Sequence, residues 1–322
     1  MTNVLVLGGT GWLSSRIAAG WVARGAEVTC LARGTRPAPG GARLHRADRA
    51  LPDAYTGLDD RDWDEVVDVS SDAVAVAAAI AALADRAAHW TYVSSVSVYA
   101  DAGVPDADES APLVPPAVEG DDDYARAKAA AEQAVRRLDG RAAIIRPGLI
   151  VGPGDPSDRF GYWPARFALA GAEPVLAPAA PGGRVQVIDV DDLAAFAVDA
   201  GARGWSDIAD AVGDSWPLAD VLALARRLAG HTGDVVEADP DWLVDHDVAS
   251  WAGPRSLPLW LPDDMPGFAA RRGERYRAAG GGIRPLAETM QRVLDDEIAR
   301  GVDRERRSGL RRADEIALLA QR

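Results

Sequence analysis

The stretch from Asn3 to Arg24 constrains the fold of this chain more than any other. Asn3-Val4-Leu5-Val6-Leu7 reads as a strand buried on both faces and Gly8-Gly9-Thr10-Gly11 as a tight turn. Residues 12–24 read as a helix with Leu13, Ile17 and Trp21 on one stripe. Strand, glycine turn and helix form the opening unit of a parallel sheet that binds a dinucleotide. The glycines let the backbone approach a pyrophosphate, and the unpaired N–H groups and dipole of the helix start attract its charge. Gly8, Thr10, Gly11, Trp12 and Leu13 are therefore candidate cofactor contacts. Ser14 stands where the fingerprint has its last glycine, and it is small enough to keep helix and strand close.

Strands and helices go on alternating. Further strands are expected at 27–31, 65–69, 90–93 and 142–145, with a weakly marked one at 43–45. Alanine-rich helices are expected at 73–86 and 122–138. This is the pattern of an α/β protein with a doubly wound parallel (Rossmann) sheet. Residues 101–121, rich in Pro, Asp and Glu, read as a loop over the mouth of the site. A return strand is expected near 185–190, then a helix started by Asp191, Asp192 and Leu193, with more helices at 218–228 and 286–300.

The second strand ends in Ala32-Arg33-Gly34-Thr35-Arg36, without the acidic residue that would bind a ribose 2′-hydroxyl. Arg33 and Arg36 suit a 2′-phosphate, so NADP(H) is preferred, with NAD(H) as the other option. Asp48, in Arg46-Ala47-Asp48-Arg49, is placed to meet the adenine amino group, and Ser70, just past the strand at 65–69, joins the cofactor group.

Tyr124 and Lys128 stand four apart at the start of an alanine-rich helix and so share a face. A cation that close favours phenolate over phenol, bringing a tyrosine of ordinary pKa ~10 nearer to neutral pH for proton transfer.

Composition narrows the classes of partner. The chain has 322 residues, 48% hydrophobic and 26% charged, which suits one or two soluble globular domains. A net charge of -14 argues against nucleic acid, whose phosphates are met by basic patches. One cysteine, Cys30, leaves no internal disulfide, which fits a cytoplasmic protein. His45, His89, His231 and His246 lack ligand spacing, so no metal is expected. No signal peptide or long apolar span is visible, so no membrane partner is expected. The mixed charges of 300–322 read as a solvated helix face. Trp242, Trp251 and Trp260 read as core, with a pocket wall as the other reading.

The motifs, taken in order, resemble those of the extended, atypical branch of the short-chain dehydrogenase/reductase superfamily, the NAD-dependent epimerase/dehydratase proteins. They are Gly8-Gly9-Thr10-Gly11-Trp12-Leu13-Ser14, Tyr92-Val93-Ser94-Ser95-Val96-Ser97-Val98-Tyr99, Tyr124 with Lys128, Arg146-Pro147-Gly148-Leu149-Ile150-Val151-Gly152-Pro153, and Val187-Ile188-Asp189-Val190-Asp191-Asp192-Leu193-Ala194. The resemblance implies catalytic roles for Ser95, Tyr124 and Lys128, and places Pro147, Gly148 and Leu149 beside the nicotinamide. Read from the residues alone, Ser95 also lies at the carboxyl end of a strand, where ligands gather, with Ser94 and Ser97 as rivals.

The family pattern further implies a dinucleotide-binding part at 1–153 with a return segment at 184–213, and a smaller C-terminal substrate lobe made of 154–183 and 214–322. Arg159, Tyr162 and Trp163 are candidates to clamp an anionic or planar substrate; the alternative is an aromatic edge packed on the sheet. A homodimer is expected by analogy.

The expected activity is an NADP(H)-dependent oxidoreductase acting on a small carbonyl, alcohol or imine. Ser95 would orient the carbonyl, Tyr124 would act as general acid or base, and Lys128 would lower the tyrosine pKa. The alternatives are a sugar-nucleotide epimerase with tightly held cofactor and a non-catalytic NADP-binding protein. Val96 and Ser97 replace the Asp-Glu pair usual in sugar-nucleotide 4,6-dehydratases, which disfavours that reaction.

Overall fold

The computed structural model describes residues 1–118 and 120–322; Glu119, within the acidic loop, lies outside the described residues. The first half runs β1 (Asn3–Leu7), α1 (Trp12–Ala23), β2 (Glu27–Ala32), β3 (Arg43–Arg46), β4 (Trp63–Asp68), α2 (Ala73–Leu83), β5 (Ala87–Val93), α3 (Tyr124–Val135) and β6 (Ala142–Pro147). Next come β7 (Leu149–Val151), α4 (Arg159–Ala170), β8 (Val175–Pro178), β9 (Arg184–Asp189), α5 (Val190–Ala202), β10 (Ile208–Ala211), β11 (Ser215–Pro217) and α6 (Leu218–Leu228). The chain continues through β12 (Val235–Ala238), α7 (Pro240–Asp245), β13 (Ala249–Trp251), β14 (Ser256–Pro258), α8 (Glu274–Ala278), α9 (Leu286–Arg300) and α10 (Arg312–Leu319).

β1 is apolar after its first residue because the sheet is covered on both faces. Val4 and Val6 pack with Ile17, Trp21 and Phe196, while Leu5 and Leu7 pack with Val76, Leu83 and Val135 on the opposite side. The central sheet has seven strands among the described residues, in the order β3-β2-β1-β4-β5-β6-β10, all parallel. The order reverses at β1 and β4, and ligands bind at such a switch point, beyond the carboxyl ends of the strands. The expected helices at 73–86 and 122–138 end in 3₁₀ turns at Ala84–Arg86 and Arg136–Leu138. Asp72 and Asp123 cap α2 and α3, each side chain accepting from backbone N–H groups of the first turn.

A further core joins α4, α6 and α9 to β8, with Trp163, Phe167, Leu222, Trp260 and Met290 inside. Trp260 is buried, Trp242 stacks on His246 at 3.9 Å, and Trp251 is half-buried, so the three tryptophans divide between core and surface.

The tail departs from the expected solvated helix. Only α10 is helical after α9, and several tail charges face inward. Arg304 and Arg306 bond to Glu297 at 3.0 and 2.7 Å, and fully buried Glu315 meets Arg312 and Arg166. Glu297 lies in the preceding helix and Arg166 far back in the chain, so charge mixing within the tail gives no hint of those pairings.

Candidate active site

At the end of β1 the chain turns at Gly8, whose φ of +78° favours glycine and whose missing Cβ would meet nothing within 4 Å. A Cβ at Gly9, by contrast, would lie 2.5 Å from the Cys30 sulfur, so the turn needs glycine there to sit against β2. Ser14 does more than keep helix and strand close. Its hydroxyl donates to Gly8 O at 2.5 Å and accepts from Gly11 N at 3.1 Å, closing the turn from within. The N–H of Gly11 is thereby occupied, while the first backbone bond of α1 runs from Ser15 N to Gly11 O. The N–H groups of Trp12 and Leu13 precede that bond and are the helix-start donors for an anion. Trp12 also donates from its indole to Pro153 O at 2.8 Å.

β2 and β3 pair Ala32 with Arg46, which brings Arg33 and Arg46 to the same sheet end. Arg33, Arg36 and Arg46 are exposed and have no acidic partner among the described residues, and the Arg46 guanidinium lies against Gly34. Arg46 was not singled out from sequence, although the register of a weak third strand carries that information. Asp48 caps its own turn by accepting from Ala50 N, and Arg49 is spent on Asp68 through two hydrogen bonds of 2.9 and 2.6 Å. The open cradle at Gly8, the free helix-start N–H groups and the unpaired arginines fit a dinucleotide with a 2′-phosphate.

The Ser95 and Tyr124 hydroxyls come together beyond β5, and Lys128 is anchored at the end of the same strand. Lys128 is buried and donates from Nζ to Val93 O at 2.7 Å and to Ser70 O at 2.9 Å. Ser70 thus contributes a carbonyl that anchors the lysine. Ser95 is buried and its hydroxyl lies 3.1 Å from that of Ser97; Ser94 turns inward beside Glu132. Tyr124, the first residue of α3, has 51% of its surface exposed.

The expected lowering of the phenol pKa by Lys128 is not found. Crowding around the hydroxyl raises it above its ordinary value, with the Ser95 hydroxyl and the Arg159 guanidinium pulling the other way. Spacing placed the two residues on one face, but the lysine chain runs back to the strand ends, so its charge serves Val93 and Ser70. Burial pushes the Lys128 ammonium down to about 8, against the charges of Asp68 and Glu132.

Beneath the site runs a chain of buried charges that sequence reading missed. Arg146 bonds to Glu132 at 2.8 and 2.6 Å and donates to Tyr99 Oη, which donates to Asp210 at 2.7 Å. Asp210 accepts from Arg271 at 2.8 Å, and the Arg271 guanidinium stacks 3.3 Å above the Tyr99 ring. Burial alone would raise the Glu132 carboxyl, but Arg146 more than offsets it and holds the group below its usual range.

Of the proposed substrate contacts, Tyr162 and Trp163 belong to the core. Both are at most 1% exposed, and the Trp163 indole donates to Pro258 O at 2.7 Å. They lie on α4, whose inward face is covered by β14 and α9, so no cleft reaches them. Arg159, at the start of α4, does reach the site: it acts on Tyr124 and lies over the Trp251 ring at 4.9 Å. Pro147 closes β6 and Gly148 follows it, whereas the Leu149 side chain is buried in the further core and its backbone pairs in register with Val187 of β9.

Residues 79–205 match the family model described as NAD dependent epimerase/dehydratase family. A ceramide reductase of Caulobacter vibrioides (strain NA1000 / CB15N) is 34% identical over 110 residues, 33% of this chain and 33% of that protein. The chain therefore spans about a third of the length of the curated relative it matches. Two solved structures share the fold. One, from Burkholderia cenocepacia J2315, has a TM-score of 0.74 and 22% identity, covering 92% of this chain and 98% of that one. The other, the Thermus thermophilus UDP-glucose 4-epimerase in complex with NAD, has a TM-score of 0.66 and 19% identity, covering 92% and 98%. No helix of the described residues is long and apolar enough to cross a membrane.

Proposed function

We propose, from the match of residues 79–205 to the NAD dependent epimerase/dehydratase family model, that this protein is an NADP(H)-dependent oxidoreductase that reduces a carbonyl compound. The observation that carries the reading is the closeness of the Ser95 and Tyr124 hydroxyls beyond β5, with the Lys128 ammonium held at the same strand end by Val93 O and Ser70 O. When bound, the nicotinamide supplies or accepts hydride. Backbone N–H groups of Trp12 and Leu13 take the pyrophosphate, and Arg33, Arg36 and Arg46 take the 2′-phosphate. Gly8, Thr10, Gly11, Asp48, Ser70, Pro147, Gly148 and the Leu149 backbone line the remainder of the cofactor path.

Tyr124 is the general acid. A phenol held above its ordinary pKa stays protonated at neutral pH, which suits donation to a carbonyl oxygen. Ser95 donates its one hydroxyl proton to that same oxygen, and Arg159 steadies the phenolate left behind. Lys128 has two of its three N–H groups fixed by Val93 O and Ser70 O, leaving the third for a ribose hydroxyl or a proton path.

Titrating the purified protein with NADPH and NADH, followed by nicotinamide fluorescence, tests the reading. Tighter binding of NADPH is expected. A preference for NADH would remove the role of the arginines, and binding of neither would overturn the assignment as an oxidoreductase.

A further inference from the structure

A cavity of about 460 Å³ opens beside the site, a size typical of small-molecule pockets. It reaches the catalytic groups through Ser97, whose hydroxyl lies 3.1 Å from that of Ser95, and through Trp251, over which Arg159 is spread. Val96, Trp251, Leu261, Met265 and Phe268 form its apolar wall, with the Trp251 and Phe268 rings edge-to-face at 5.4 Å.

The positive charge on this wall is already matched. Arg271, the cation lining the cavity, gives Nε to Asp210 and Nη2 to Asp108 O, both at 2.8 Å. Its face is covered by Tyr99, and its side chain is 3% exposed. Asp101, also on the wall, adds negative charge. Near the mouth, Arg159 is a single guanidinium that lies on Trp251 and bonds through Nε to Ser157. A pyrophosphate needs several cations or N–H donors converging on it; here Arg271 is spent on Asp210 and Asp108, which leaves the single guanidinium of Arg159 at the mouth.

We infer that this cavity takes an uncharged carbonyl compound with an apolar arm, ring-bearing or branched, and not a nucleoside diphosphate. The inference rests on the oxidoreductase reading above and narrows its substrate class. The arm lies between Trp251, Phe268 and Met265, and the carbonyl end points toward Ser95 and Tyr124.

The test is a pair of calorimetric titrations, of 4-phenylbutan-2-one and of UDP, into protein with and without NADPH. The ketone is expected to bind at least tenfold more tightly than UDP. Phe268→Ala should weaken it at least fivefold, and Ala102→Phe, which fills the mouth, should do the same without removing a wall residue. The second variant keeps the test decisive if the first folds poorly. Binding of UDP in preference to the ketone, binding of neither, or ketone binding indifferent to both variants would overturn the inference. NADPH affinity measured on the same samples separates the two claims. Ketone binding without any NADPH binding would sink the oxidoreductase reading alone, and NADPH binding without ketone binding would sink the substrate class alone.

Discussion

Two polar regions meet along α3. On its inner side, Glu132 is gripped by Arg146, and the chain runs on through Tyr99, Asp210 and Arg271 with a partner at each step. One turn earlier, Lys128 has only two carbonyls for its charge, and at the helix start Tyr124 stands half exposed. The first region holds its carboxyl at Glu132 ionised. In the second, burial pushes both groups toward their neutral forms, the lysine down and the phenol up. Buried charge matched by partners fixes an architecture, while polar groups left short of partners are available to a ligand.

The largest effect expected from breaking this contrast is on stability. Arg146→Leu leaves buried Glu132 with only the half-exposed Arg136 as a partner, which should cost about 3 kcal/mol in denaturant unfolding. A loss under ~1 kcal/mol would mean that the pair is no more structural than a surface bridge.

Tyr124→Phe should do the opposite. Turnover of 4-phenylbutan-2-one with NADPH should fall by at least ~10², with the unfolding midpoint nearly unchanged because the hydroxyl supports no packing. Near-normal turnover would remove Tyr124 as the acid.

Third, Arg33→Ala and Arg46→Ala should each weaken NADPH binding by about tenfold, the worth of one charge-assisted contact, and leave NADH binding unaltered. Equal losses for both cofactors would show that the arginines do not meet the 2′-phosphate.

The most gradual effect is in the pH dependence. Lys128 has its pKa lowered from 10.5 to about 8, so between those values the unfolded chain binds more protons than the folded one. The contribution of this residue to stability therefore rises with pH across that window, while activity that requires the ammonium declines above about 8. Lys128→Met should flatten both slopes, and unchanged profiles in that variant would assign the titration to another group.

The parts legible in the sequence are those governed by nearby residues. The strand, turn and helix from Asn3 to Ala23 announce themselves through apolar runs and glycines, and the spacing of Tyr124 and Lys128 put both on α3. What sequence could not carry was the direction of long side chains and the identity of distant partners. Lys128 shares a face with Tyr124 yet turns to the strands. Tyr162 and Trp163 look like a ligand clamp until Pro258 and the α9 helix cover them. Arg304 and Arg306 look solvated until Glu297 folds against them. Arg271 lies 61 residues from Asp210, a separation that no local pattern spans.

The hydroxyl of Ser14, tied to Gly8 and Gly11, braces from within the turn proposed to cradle the phosphates, before anything enters it. A seat with little motion left to lose imposes a small ordering penalty on its guest. Association there should proceed without a slow rearrangement step, and Ser14→Gly, though closer to the usual fingerprint, should loosen the cradle and speed the guest's departure.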